Sequence, residues 1–245
     1  MLGIIGGSGL TEFEELKVVH ETKLNTPYGE PSSAIILAEL AGQELAFLAR
    51  HGRPHVIAPH QINYRANLWA LKEVGVKELV AINAVGGISA AQNNAVISVP
   101  DQIIDYTYGR EMTFCDHPEI DLLHVDFSYP YDEALRQHLI EAAQTIQLPI
   151  INQAVHAVTQ GPRLETAAEI RRLANDGADI VGMTGMPEAA LARELDLPFA
   201  CIAIVVNKAA GLSNELISLD DIHKVLDRGI VDIKKLLRAF CLLKG

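Results

Sequence analysis

Arg50 and His51 stand side by side where an apolar, strand-like run ends, immediately before Gly52. A guanidinium is a planar fork of donors that matches a phosphate, and the adjacent imidazole can donate a further hydrogen bond. Asn207 likewise closes the hydrophobic run 202–206, a place where a polar side chain means a turn or a site. Asn83-Ala84 leads from another such run into Val85-Gly86-Gly87, and Thr184 follows Gly182-Met183. Near the N-terminus, Gly6-Gly7-Ser8-Gly9 combines backbone freedom with a hydroxyl, which suits the approach of N–H groups to an anion. Glu165 sits just before a helical stretch, after Gly161-Pro162-Arg163-Leu164. The chemistry these residue types support is the holding of a phosphate group.

Each of these residues, taken singly, also has a structural reading. An Arg-His pair is a common surface feature, and the glycine loop fits a tight turn. Glu165 fits a helix start, where its charge is favoured. Met183 packs by default, and His124, one of nine histidines, carries no signal of its own. The glycine loop lacks the third glycine of a dinucleotide fingerprint and the Gly-Lys-Ser/Thr of a P-loop. The residues alone therefore leave the reaction open.

The elements that must position them alternate. Apolar, β-branched runs predict strands over 2–5, 33–40, 44–49, 78–83, 96–99, 102–105, 153–159, 180–183 and 199–206. Amphipathic spacing predicts helices over 60–74, 132–145, 166–175, 187–194 and 219–243. Asp132, Pro187 and Ser218 suit helix starts, and Gly75 and Gly177 suit helix ends. This is an α/β pattern with no linker-like stretch, so the 245 residues are read as one domain. Five segments, at Gly6, Arg50, Asn83, Met183 and Asn207, follow the ends of strands, where ligands gather in α/β proteins.

Composition removes several classes of function. The net charge is −11 with no basic block, which argues against nucleic acid and anionic membrane surfaces as partners. The apolar runs are short, and the N-terminus has neither the basic region nor the apolar core of a signal peptide. Cys115, Cys201 and Cys241 match no metal-ligand or redox spacing. Scattered thiols of this kind predict a cytoplasmic location, and Cys201, within an apolar run, is read as core.

Together these segments resemble the purine nucleoside phosphorylase and methylthioadenosine phosphorylase family. The likeness runs through Gly3-Ile4-Ile5-Gly6-Gly7-Ser8-Gly9-Leu10, Arg50-His51-Gly52, the segment 63–72 and Asn83-Ala84-Val85-Gly86-Gly87. It continues in Gly161-Pro162-Arg163, the segment 177–184 and Pro187-Glu188. The resemblance implies a single-domain α/β fold whose mixed sheet curls into a distorted barrel flanked by helices. It implies phosphate contacts from Ser8, Arg50, His51, Asn83, Ala84 and Thr184, with Met183 against the sugar. Glu165, Asn207, Lys208 and Ala209 fall where the family reads the base, and Asn207, Arg50 and His51 would carry the chemistry. It also implies a homotrimer, or a dimer of trimers, with His124 lent to a neighbour's sugar pocket. Phosphate is the co-substrate, with no metal or organic cofactor.

Two departures narrow the substrate. Adenine-selective members of the family carry aspartate and a small hydroxyl residue where this chain has Asn207 and Glu165. An ionised carboxylate can accept from N1–H of a 6-oxopurine, and an amide can meet both O6 and N7. Leu219 falls where 6-oxopurine members place a histidine for the 5′-hydroxyl, and its side chain suits an apolar 5′ group. The expectation is phosphorolysis of a 6-oxopurine nucleoside with a 5′-methylthio group. The alternatives are general 6-oxopurine nucleosides or methylthioadenosine.

Overall fold

β1 (Leu2–Gly6) lies between two parallel neighbours, β4 (Gln43–Ala49) and β5 (Glu78–Gly87). The computed structural model describes residues 1–7, 16–116, 121–213 and 217–244. Among these, eleven strands join one mixed sheet. On one side it continues from β4 to β3 (Ile35–Leu40) and the edge strand β2 (Lys17–Thr22), both antiparallel to their neighbours. On the other side it forks at β5. One branch is the parallel β11 (Phe199–Lys208), followed by β6 (Ile97–Ser98) and β8 (Ile150–Ile151). The second branch leaves from Gly86 and Gly87, which pair with β10 (Ile180–Gly182), and runs on to β9 (Val155–Val158) and β7 (Gln102–Asp105).

Side-chain alternation explains why helices cover both faces. Ala200, Ile202, Ile204 and Val206 of β11 pack with Val80 and Ile82 against α2 (Glu133–Thr145) and α5 (Leu219–Lys244). The intervening Phe199, Cys201, Ala203 and Val205 face Leu79, Ala81 and the helices α1 (Tyr64–Glu73) and α4 (Gly185–Glu194). Strands buried on both faces read as continuous apolar runs, which is why they are legible in the sequence. α3 (Ala167–Asn175) covers a smaller cluster with Ile170 and Leu173. Cys201 is core, as expected, and burial pushes its thiol up to about 12.

Local start and stop signals behave as their chemistry dictates. Asp132 caps α2 by accepting from the Leu135 N–H, and Thr166 forms a capping box with Glu169 on α3. Gly75 and Gly177 take φ of +95° and +93° just after α1 and α3. Three expectations need correction. The helix predicted from residue 60 begins at Tyr64, because Pro59–Gln61 forms a separate 3₁₀ turn and Asn63 caps the α-helix through Ala66 N–H. β2 escapes the sequence reading because it is an exposed edge strand without an apolar alternation. Asn83–Gly87 is strand rather than loop: its backbone pairs with β11 and β10 instead of turning away.

Candidate active site

β1, β4, β5 and β11 run parallel, so their carboxyl ends open on the same side. A cavity of about 480 Å³ lies there, bordered by Gly7, Arg50, His51, Ala84, Gly182–Thr184, Val206 and Asn207, and closed by α5. Volumes of this order hold small organic ligands. β11 carries a bulge between Val205 and Asn207, so consecutive residues Val206 and Asn207 both reach the cavity wall.

Arg50 sits at the floor, only 2% exposed. Its Nε donates to Glu188 Oε1 at 2.5 Å and its Nη2 to Oε2 at 2.9 Å. Nη1 donates to the Ile82 carbonyl, and Nη2 also reaches the Ile5 carbonyl and Asn83 Oδ1. The fork is therefore spent on Glu188 and the strands, and one Nη1 hydrogen has no partner among the described residues. Burial opposes both charges and pushes the Glu188 carboxyl up, but the carboxylate it faces holds Arg50 above its ordinary value. Asn83 lies behind the wall, because its amide is used on both sides. It accepts from Arg50 and donates to Thr184 Oγ1 at 3.2 Å. Thr184, 7% exposed, thus has its hydroxyl hydrogen free for a ligand.

His51 corrects a further expectation. Its Nδ1 lies 2.8 Å from the Ile57 carbonyl, which only accepts, so Nδ1 carries the proton. Burial, then Arg50 and His55, lower its pKa to about 4, so the ring is neutral near pH 7 and Nε2 is an acceptor rather than the expected donor.

At the other end, Thr159 Oγ1 donates to Glu165 Oε1 at 2.6 Å and leaves Oε2 for a ligand. Asn207 Nδ2 donates to the Lys208 carbonyl at 2.7 Å, which orients Oδ1 as an acceptor and leaves one amide hydrogen. Met183 borders the cavity between the two ends. Gly161 takes φ of +64°, and a Cβ there would stand 2.6 Å from Met183 Sδ, so only glycine lets the two segments meet. Ala209 reaches the cavity, but Lys208 does not: its carbonyl serves Asn207 while its side chain lies outside the wall.

A model of the Phosphorylase superfamily matches residues 1–241. The chain belongs to that superfamily. It is 52% identical over 234 residues to a probable S-methyl-5′-thioinosine phosphorylase of Pseudomonas syringae pv. tomato, covering 96% of this chain and 95% of the relative. It is 43% identical over 243 residues to the 6-oxopurine nucleoside phosphorylase of Pyrococcus furiosus, covering 97% of this chain and 91% of the relative. The solved methylthioadenosine phosphorylase of Schistosoma mansoni in complex with adenine matches with a TM-score of 0.94 at 32% identity, covering 100% of this chain and 91% of that one.

Several residues of this phosphorylase cavity were not singled out by sequence reasoning. Glu188, which lies behind the wall and holds Arg50, is another that was not singled out, although a lone acid within the apolar segment 186–192 signals a buried cation. His55 stacks on His51, and Ile217, Ile222, His223, Leu226, Asp227 and Ile230 border the cavity on the α5 side. The helical spacing of 222, 226 and 230 marks one face of α5, but not what it faces. Ser8 and the side chain of Leu219 lie outside the described residues. His124 is exposed and off the cavity of its own chain, because the segment that carries it runs over the surface.

Proposed function

We propose that this phosphorylase cleaves S-methyl-5′-thioinosine with inorganic phosphate, giving hypoxanthine and 5-methylthioribose 1-phosphate. One observation carries the reading: Glu165 and Asn207 border the same cavity as Ile217, just before α5, and the apolar Ile222, Leu226 and Ile230 of α5, which lie beside His223 and Asp227. The free Glu165 oxygen accepts from N1–H of a 6-oxopurine. Against adenine it would meet the N1 lone pair, a buried mismatch costing on the order of 1–3 kcal/mol. The Asn207 oxygen accepts from N7–H as the base departs, and its remaining amide hydrogen serves O6. Phosphate at the Arg50, His51, Ala84 and Thr184 end attacks the anomeric carbon from the opposite face as an oriented nucleophile. The base leaves from an oxocarbenium-like sugar against Met183. No metal or organic cofactor enters the proposed reaction.

A second reading is a general 6-oxopurine nucleoside phosphorylase, favoured by His223 and His55. Both border the cavity beside the apolar residues of α5 and offer partners for a 5′-hydroxyl. A phosphate-dependent assay of methylthioinosine, inosine, methylthioadenosine and adenosine decides between them. Preference for methylthioinosine supports the first reading, equal rates with inosine support the second, and preference for the adenine nucleosides overturns both. The proposed assembly is a homotrimer, or a dimer of trimers, in the cytoplasm. Leu122 and Leu123, beside His124, are 71% and 49% exposed, which fits a segment reaching a neighbouring subunit.

A further inference from the structure

The loop after β4 is built around one imidazole. Gly52, with φ of +80°, turns the chain back, and the N–H groups of Val56 and Ile57 both donate to the His51 carbonyl at 3.0 Å. That closure brings the Ile57 carbonyl to His51 Nδ1. His55 stacks on the His51 ring with centroids 4.2 Å apart and planes 10° apart, so the ring is held at its edge and covered on one face. The ring borders the cavity, and Nε2 is its remaining hydrogen-bonding atom.

Because a carbonyl cannot donate, this loop decides the tautomer: the proton is on Nδ1 and the lone pair on Nε2. Burial keeps the ring neutral near pH 7, so a second proton does not reverse the polarity. Two donors border this end as well: the Thr184 hydroxyl, whose hydrogen is left free by Asn83, and the last Arg50 hydrogen. A fixed acceptor beside these donors matches an anion that carries a single hydrogen of its own.

We propose that His51 Nε2 accepts the P–OH hydrogen of hydrogen phosphate, so that this site rejects oxyanions of the same shape that lack the hydrogen. The inference rests on this end of the cavity being the phosphate subsite. The contact leaves the three unprotonated oxygens toward the donors and the sugar, so the attacking oxygen is one that bears no proton. Sulfate and monofluorophosphate are dianions near pH 7.5 with no hydrogen to give. Either would set a lone pair against the Nε2 lone pair inside a partly buried site.

The test measures binding of phosphate, sulfate and monofluorophosphate by calorimetry near pH 7.5, and their competition in phosphorolysis. In the unaltered enzyme, monofluorophosphate and sulfate should bind at least about tenfold more weakly than phosphate. In His51→Gln, whose amide can present either an acceptor or a donor, the gap should close to within about threefold. Monofluorophosphate binding as tightly as phosphate to the unaltered enzyme overturns the proposal. A gap that persists in His51→Gln also overturns it, by removing His51 as the cause. If that variant fails to fold, the comparison on the unaltered enzyme decides alone. Absence of phosphorolysis with every nucleoside would instead defeat the proposed function, an outcome distinct from unselective anion binding by an active enzyme.

Discussion

Arg50 and Glu188, 138 residues apart in the chain, form a two-pronged ion pair at the floor of the cavity, 2% and 0% exposed. The pair ties the end of β4 to α4 and turns Arg50 from a mobile cation into a fixed donor. Removing the carboxylate charge leaves a guanidinium uncompensated in the interior. Glu188→Gln should therefore cost about 3–5 kcal/mol of unfolding free energy, read by denaturant titration, and weaken phosphate binding. A variant within about 0.5 kcal/mol of the parent would show that the pair does not hold the fold.

Thr159 holds one oxygen of Glu165 and so directs the other at the ligand. Thr159→Val keeps the shape and removes that bond. The expected result is a drop of about 5- to 20-fold in kcat/KM for methylthioinosine, with little loss of stability, since a hydrogen bond to a charged group contributes about 1–2 kcal/mol. Unchanged kinetics would mean that Glu165 needs no such positioning.

Asn207 is oriented by the Lys208 carbonyl, with its oxygen free to accept. Asn207→Ala should lower kcat by about 10²-fold or more while moving KM less, as expected of a group whose contact strengthens as the base departs. Asn207→Asp should raise activity on adenine nucleosides relative to 6-oxopurine nucleosides. A variant that still ignores adenosine and methylthioadenosine refutes the proposed reading of the base.

His223 borders the cavity beside Ile222, Leu226 and Asp227 of α5. His223→Leu should increase the preference for methylthioinosine over inosine by about 3- to 10-fold, because a hydroxyl loses a partner while a methylthio group gains apolar surface. An unaltered ratio of the two kcat/KM values would remove His223 from 5′ recognition.

His156 is fully buried beneath Gly182 and Gly185, where a Cβ on either glycine would press on its ring, and Tyr131 Oη lies 3.2 Å from its Nδ1. Burial, then Arg50, lower its pKa to about 4. Its folded pKa thus lies below its unfolded value, so the unfolded chain binds more protons between about pH 6.5 and pH 4. The stability held by the neutral ring is complete above about pH 6.5 and is lost as pH falls toward 4, on the order of 3 kcal/mol. His51 adds to the loss in the same direction, being only partly buried. Denaturant titrations across this window should show a slope that shrinks in His156→Gln; an identical slope would assign the loss to other groups.

The sequence by itself determined the apolar strands, the cap at Asp132, the glycine stops and part of the cavity lining, because these signals are written within a few neighbours. Arg50, His51, Met183, Thr184 and Asn207 border one cavity, as their strand-end positions imply, and Glu165, read at a helix start, joins them. Three things were decided only in the tertiary structure. The partner of Arg50 is 138 residues away, so its fork could not be known to be occupied. The proton position on His51 depends on a loop closure that brings the Ile57 carbonyl to Nδ1. The α5 face toward the cavity, with His223 and Asp227 beside its apolar residues, is set by how the helix docks on the sheet. The physical reason is common to all three: residue type fixes what a group can donate or accept, while packing between distant segments fixes which of those capacities remain for a ligand.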